Sequence, residues 1–266
     1  MSFYWLYDLS SFALCLLVVL SFVGICLAGL FLSRSWVKRL HQIDHSHNDI
    51  VGFYLAAITV FDAVTLGLVA VGTWQTYTDA QLRVDHEAAS LGALYRDAGA
   101  FPEPLRSELQ NDLKLYYNEV VVVGWPQQRH GIVPNEDSAP LDRFQSHLMD
   151  FEPTTERHKI IAAETYRAFN DLVESRRTRI NSITAELPAP VWMMVVAGAL
   201  LSIVATWFFQ TPSFNMHFWL SVVYSALVGL LIYLIVSLDN PYRGHISVGP
   251  EPLVRVYEQT MMPDAK

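Results

Sequence analysis

With 266 residues, 52% of them apolar, and a positive mean hydropathy, the chain carries more hydrophobic material than one soluble core needs. Its formal charge of −8, with no concentrated basic face, excludes nucleic acid as a partner. Both cysteines, Cys15 and Cys26, lie inside an apolar run, where a thiol is a small hydrophobe, so they say nothing of redox compartment.

The apolar surplus falls in four runs separated by ordinary polar sequence. That pattern predicts an all-α membrane protein with four transmembrane helices in two pairs, flanking a helical extramembrane domain. The expected boundaries are 1–74 for the first pair, 75–187 for the helical domain, 188–238 for the second pair and 239–266 for a carboxyl-terminal tail. The first run, residues 12–32, holds no charge and is long enough to cross a hydrocarbon core of about 30 Å. A cleaved leader would want positive charge ahead of it; instead Asp8 precedes the run, and Arg34, Lys38 and Arg39 follow.

Between the first two runs lie His41, Asp44, His45, His47 and Asp49. His41 and His45 are four apart, which puts two ligands on one helix face, and His47 adds a third. Metal binding, proton sensing and plain interfacial polarity are all compatible with this cluster.

The second run covers residues 51–74, with Asn48 and Asp49 as helix caps and Trp74 and Tyr77 suited to the headgroup level. Near its centre stands Asp62. An ionisable group at mid-membrane costs several kcal/mol unless it faces protein or water, so Asp62, with Thr59 and Thr65 beside it, is the pore-lining candidate. The competing reading is a protonated Asp62 hydrogen-bonded to Thr59 or Thr65.

Beyond the second run, Val84, Ala88, Leu91, Tyr95 and Ala98 form an apolar stripe that extends the same helix until Phe101, Pro102 and Pro104 stop it. A second helix is expected over 103–123, ended by the valine run 120–123, with 125–139 as loop. A last helix starts at Thr154 and Thr155 and continues to Leu187. Its apolar positions Ala162, Tyr166, Phe169, Val173, Ile180, Ile183 and Leu187 skip one place, Arg176. Arg176 is then expected either in an interfacial ion pair with Glu87 or extended along the stripe to water. This domain carries twelve Lys and Arg against eighteen Asp and Glu, a net of −6, which either concentrates cations or serves solubility.

The third run, 191–209, follows Pro188 and Pro190, and the fourth, 218–238, follows so closely that the two form an antiparallel hairpin. Ser221, Ser225 and Gly229 make a strip of small residues open to close helix approach; Ala63 and Gly67 make a shorter one. An even number of spans places both termini and the middle domain on one side. Arg34, Lys38 and Arg39 pull the first loop toward the cytoplasm, and Arg176, Arg177, Arg179 and Arg243 pull the opposite side there. Without a nucleotide loop, dinucleotide turn or nucleophile elbow, neither an enzyme nor a cofactor is expected.

Several strings together resemble one family. His47-Asn48-Asp49, Trp74 with Tyr77, Glu87-Ala88 and Leu94-Tyr95 are similar to the first half of the bestrophin-like family of bacterial membrane proteins. Trp125-Pro126 with Gly131, Arg176-Arg177-Thr178-Arg179, Pro190-Val191-Trp192 and the tail Asp239-Asn240-Pro241-Tyr242-Arg243-Gly244 follow in the same order. Asn48, Trp125, Trp192, Asp239, Pro241 and Gly244 are the motif positions that carry it. The chain departs at Asp62, where the family has an apolar span, and at Gly124, where it often has an acid. The resemblance implies a multi-pass protein of the bacterial plasma (inner) membrane, a homo-oligomer with five copies as the best guess, and ions as its cargo. It also implies cytoplasmic termini and a second span lining the pore. In such a ring Asp62 would repeat as an acidic girdle, which favours cations. The alternative is a non-conducting sensor or scaffold whose helical middle binds a protein partner.

Overall fold

The computed structural model describes residues 4–41, 47–135, 137–209 and 213–262. A 3-10 turn (Tyr4–Asp8) precedes α1 (Ser11–His41) and α2 (His47–Ala98). These are followed by α3 (Leu105–Asn118), a π-helical stretch (Glu119–Gly124), α4 (Trp125–Arg129), α5 (Ala139–Met149) and α6 (Glu156–Ser182). The chain closes with α7 (Ala189–Trp207), α8 (Phe214–Asp239), α9 (Glu251–Val256) and a second π-helical stretch (Tyr257–Met261). Among the described residues there is no strand. Four helices, α1, α2, α7 and α8, are long and apolar enough to cross a membrane.

The chain divides into two compact units. The first takes Met1–Thr76, Glu186–Asp239 and Gly244–Ile246. Its core is built on α1, whose Leu14, Val18, Phe22 and Cys26 recur every four residues and pack against Val195, Ala199 and Ile203 of α7 and Val228, Ile232 and Ile235 of α8. The small strip of α8 finds its partner here. A Cβ at Gly229 would stand 2.9 Å from the Val19 Cα, so only glycine lets α1 and α8 come this close. Nothing lies within 4 Å of a Cβ at Gly67, and Ala63 is exposed, so the strip on α2 has no partner within the chain.

Two hydrogen bonds tie the start of α7 to the end of α8. The Leu187 amide (2.7 Å) and Trp192 Nε1 (3.0 Å) both donate to the Asp239 carboxylate. Asp49 and Asn48 fall in the first turn of α2, where a carboxylate suits the helix dipole.

The second unit takes Tyr77–Ala185, Asn240–Arg243 and Ser247–Lys266. The expected α2 stripe is its spine: Val84, Ala88, Leu91, Tyr95 and Ala98, joined by Leu94, are buried with Leu109, Leu113 and Tyr116 of α3, Phe144 and Leu148 of α5, and Phe169 and Leu172 of α6.

Three local expectations are corrected. The helix opened by Thr155, whose Oγ1 accepts the His158 amide at 3.1 Å, ends at Ser182 and does not reach Leu187. Pro188 disfavours helical geometry in the residue before it and offers no amide, so the chain leaves the helix before α7 begins. The second span therefore does extend as one long helix and the third does not. Within α6 the buried phase is Thr165, Phe169, Leu172, Arg176, Arg179 and Ile183, which leaves Val173 exposed. Finally, the valine run does not end its helix: the chain widens into a π turn and resumes as α4, so part of 125–139 is helical.

Candidate functional site

Asp62 is a charged group that the first unit buries within the apolar stretch of α2. Of the α2 residues in this unit, Asp62, Leu66 and Thr73 are buried, a single face with spacings of four and seven. Asp62 is only 5% exposed, and its carboxyl lies near Ser202 on α7, whose hydroxyl donates to the Ala199 carbonyl at 2.9 Å. A Cβ at Gly198 would come 2.6 Å from Asp62 Oδ1, so a glycine one turn before Ser202 is what lets the carboxylate lie against α7.

Neither threonine considered from the sequence is its partner. Thr59 Oγ1 donates to the carbonyls of Leu55 (2.8 Å) and Ala56 (3.1 Å), and Thr65 lines the groove beside Asp62. Tyr224 of α8 also lies near Ser202. Sequence spacing pointed to α2 neighbours because a partner on a distant helix leaves no local signal. Asp62 also borders a groove of about 750 Å³ between α2 and α7, and it is the one charged side chain among the groove's lining residues.

The second unit contains a buried polar cluster. Glu87 on α2 is fully buried and paired with Arg179 of α6, not with Arg176. Arg179 Nη2 donates to Glu87 Oε1 at 3.2 Å, and Arg179 Nη1 donates to Gln128 Oε1 at 3.1 Å. Tyr116 donates to Glu87 Oε1 from α3. Arg176, one turn earlier, reaches the carboxylate of Glu119 and the Asn135 carbonyl at 3.0 and 3.1 Å. Glu119 is the first residue of the π stretch.

Burial pulls the Arg179 guanidinium down, but the charge and hydrogen bonds of Glu87 outweigh it and raise it above its ordinary value. Burial, then the Glu87 carboxylate, holds the Tyr116 phenol well above the usual tyrosine range.

The strings quoted for the resemblance meet around this pair. The Arg179 guanidinium lies 5.1 Å from the centre of the Trp125 ring, and Trp125 meets Tyr242 edge to face at 6.4 Å. Tyr242 shares a 2.9 Å hydrogen bond with Ser182. Gly131, with φ +76°, carries the Arg243 guanidinium directly against its backbone, where a side chain would collide. The Pro241 carbonyl accepts the Val248 amide at 2.8 Å, and Gly244 turns the chain with φ +78°. Trp192 and Asp239 serve the α7–α8 tie in the first unit.

Of the histidine cluster, Asp44 and His45 and the side chains of His41 and His47 lie outside the described residues. Among the described residues no three His, Cys, Asp or Glu side chains are grouped to hold a metal ion.

A model of the family described as Bestrophin-like domain matches residues 20–253. No curated protein sequence matches the chain. Among solved structures, a mutant of a bacterial bestrophin homologue from Klebsiella pneumoniae aligns with a TM-score of 0.66 at 11% identity, covering 94% of this chain and 98% of that one. A second mutant of that homologue gives 0.65 at 11% identity, with 93% and 97% covered. A crystal structure described as a membrane protein gives 0.67 at 14% identity, with 93% and 97% covered. At such identities the likeness is one of fold.

Proposed function

The chain belongs to the bestrophin-like family, and from that premise we propose that it is an oligomeric ion channel of the bacterial inner membrane whose conduction path runs along α2. Channel-like membrane proteins are what the family and the structural neighbours support. The observation that carries the assignment of α2 is its sparse burial: 11% of its apolar stretch is buried within the chain, against 39% for α8. Phe53, Val60, Val64 and Val71 are exposed on the face opposite Asp62. A ring of copies, five by resemblance, would gather these faces around an axis. The polar second unit would then stand outside the bilayer, in two-pair order with the spans.

Asp62, turned toward α7, acts on such a path through space from behind Val60 and Val64. With the net charge of −6 over residues 75–187, it supports a cation preference. The test is ion flux from liposomes holding the purified oligomer. We expect cation flux exceeding anion flux, with the ratio falling in Asp62→Asn. No flux from a well-formed oligomer removes the channel.

A non-conducting scaffold is favoured by one observation, the exposed cluster of Val122, Val123, Ile132 and Val133 on the second unit. The same flux measurement separates the two readings.

A further inference from the structure

We propose that the groove between α2 and α7 binds a lipophilic organic cation, its apolar body between the helices and its charge against Asp62. The groove holds about 750 Å³, room for a drug-sized molecule. Its walls are apolar side chains from Ile50 and Tyr54 at one end to Met194 and Thr65 at the other, and Asp62 is the sole ionisable carboxylate among them. Three aromatic rings, Tyr54, Phe61 and Phe208, border the same space and offer π faces to a cation.

Charge complementarity selects the occupant. Asp62 is 5% exposed, its polar neighbour is the neutral Ser202, whose hydroxyl donates to the Ala199 carbonyl, and among the described residues it has no ion pair. A carboxylate in an apolar setting with only a neutral polar neighbour gains most from a cation brought against it. A cation with an apolar body can reach that position from the bilayer, whereas a hydrated metal ion would have to shed its water among alkyl side chains. Gly198 fits the same purpose, because the missing Cβ lets Oδ1 lie along α7 and face the groove. The site is complete within one chain and does not depend on whether α2 lines a pore.

Radiolabelled tetraphenylphosphonium, a permanent cation, tests this by equilibrium dialysis against the detergent-purified full chain. Saturable binding, one per chain and not competed by an equal concentration of neutral triphenylphosphine oxide, is expected. Asp62→Asn should weaken it by roughly tenfold or more, the scale of a desolvated charge pair. Ala57→Trp fills the groove without touching the carboxylate and should abolish binding while the elution profile of the oligomer is kept. Equal binding to wild type and Asp62→Asn, or equal competition by the neutral oxide, would mean the groove takes apolar bodies without reading their charge and overturns the proposal. Absent binding to a well-folded wild-type oligomer would mean a neighbouring copy fills it, and overturns the proposal equally.

Discussion

At the scale of single residues, the second unit is organised by Arg179 more than by any other side chain. It is 1% exposed, is paired with Glu87 and stacks on Trp125. Replacing it by alanine strands a buried carboxylate, which costs about 3–5 kcal/mol. For a chain of this size that lowers the melting temperature by roughly 10 °C. Arg176→Ala, whose partner Glu119 is 32% exposed, should cost about 1 kcal/mol. Thermal unfolding in detergent compares them, and equal losses would contradict the ranking.

The phenols set an alkaline limit. Tyr116 and Tyr242 are pushed above the ordinary tyrosine value, chiefly by burial. Above pH of about 10 the unfolded chain releases these protons and the folded one retains them, so stability falls as pH rises, by about 1.4 kcal/mol per pH unit for each phenol. Tyr116→Phe should make that decline shallower while lowering stability at neutral pH.

The apolar rhythm of α6 puts Arg176 at the α2–α6 interface and offers it either Glu87 or water; the structure gives it Glu119 and gives Glu87 to Arg179. At 3.6 residues per turn, positions 176 and 179 share a face, and periodicity alone cannot say which one reaches a given carboxylate. Glu119 opens the π stretch, for which a run of four valines carries no signal.

At the scale of elements, what was legible followed from physical redundancy. Four apolar runs of about twenty residues admit one reading, and the α2 stripe recurs over four turns, so both were clear in advance. Helix ends depend on fewer residues, so the apolar rhythm that runs on to Leu187 hides the end of α6 at Ser182, and the short α5 shows itself only in Leu141, Phe144 and Leu148, spaced three and four apart. The partner of the α8 strip was illegible because small residues announce proximity without naming the neighbour.

That proximity makes a prediction. Gly229→Ala should force α1 and α8 apart at a cost of about 1–3 kcal/mol, while Gly72→Ala, with nothing within 4 Å, should leave the unfolding temperature of the isolated subunit unchanged or raise it. Asp239→Asn should loosen the α7–α8 tie, since its amide turns a donor toward either the Leu187 amide or Trp192 Nε1. A cost of about 1–3 kcal/mol is expected, readable as faster amide exchange at Leu187.

At the scale of the whole molecule, the account is of copies assembled in a bilayer with α2 innermost. An even number of spans would put a tag at either end on the same side, and we propose from the family resemblance that this side is the cytoplasm; protection of both tags in intact cells is the expected result. The assembly itself is tested most directly along α2. With Cys15 and Cys26 replaced by alanine, single cysteines at Val60, Val64, Val71 and Leu66 are treated with a charged thiol reagent during ion flux from liposomes. The account predicts block at Val60, Val64 and Val71, whose side chains are exposed, and none at Leu66, which is buried within the chain. Flux that no position on α2 can block, or block confined to Leu66, would contradict it.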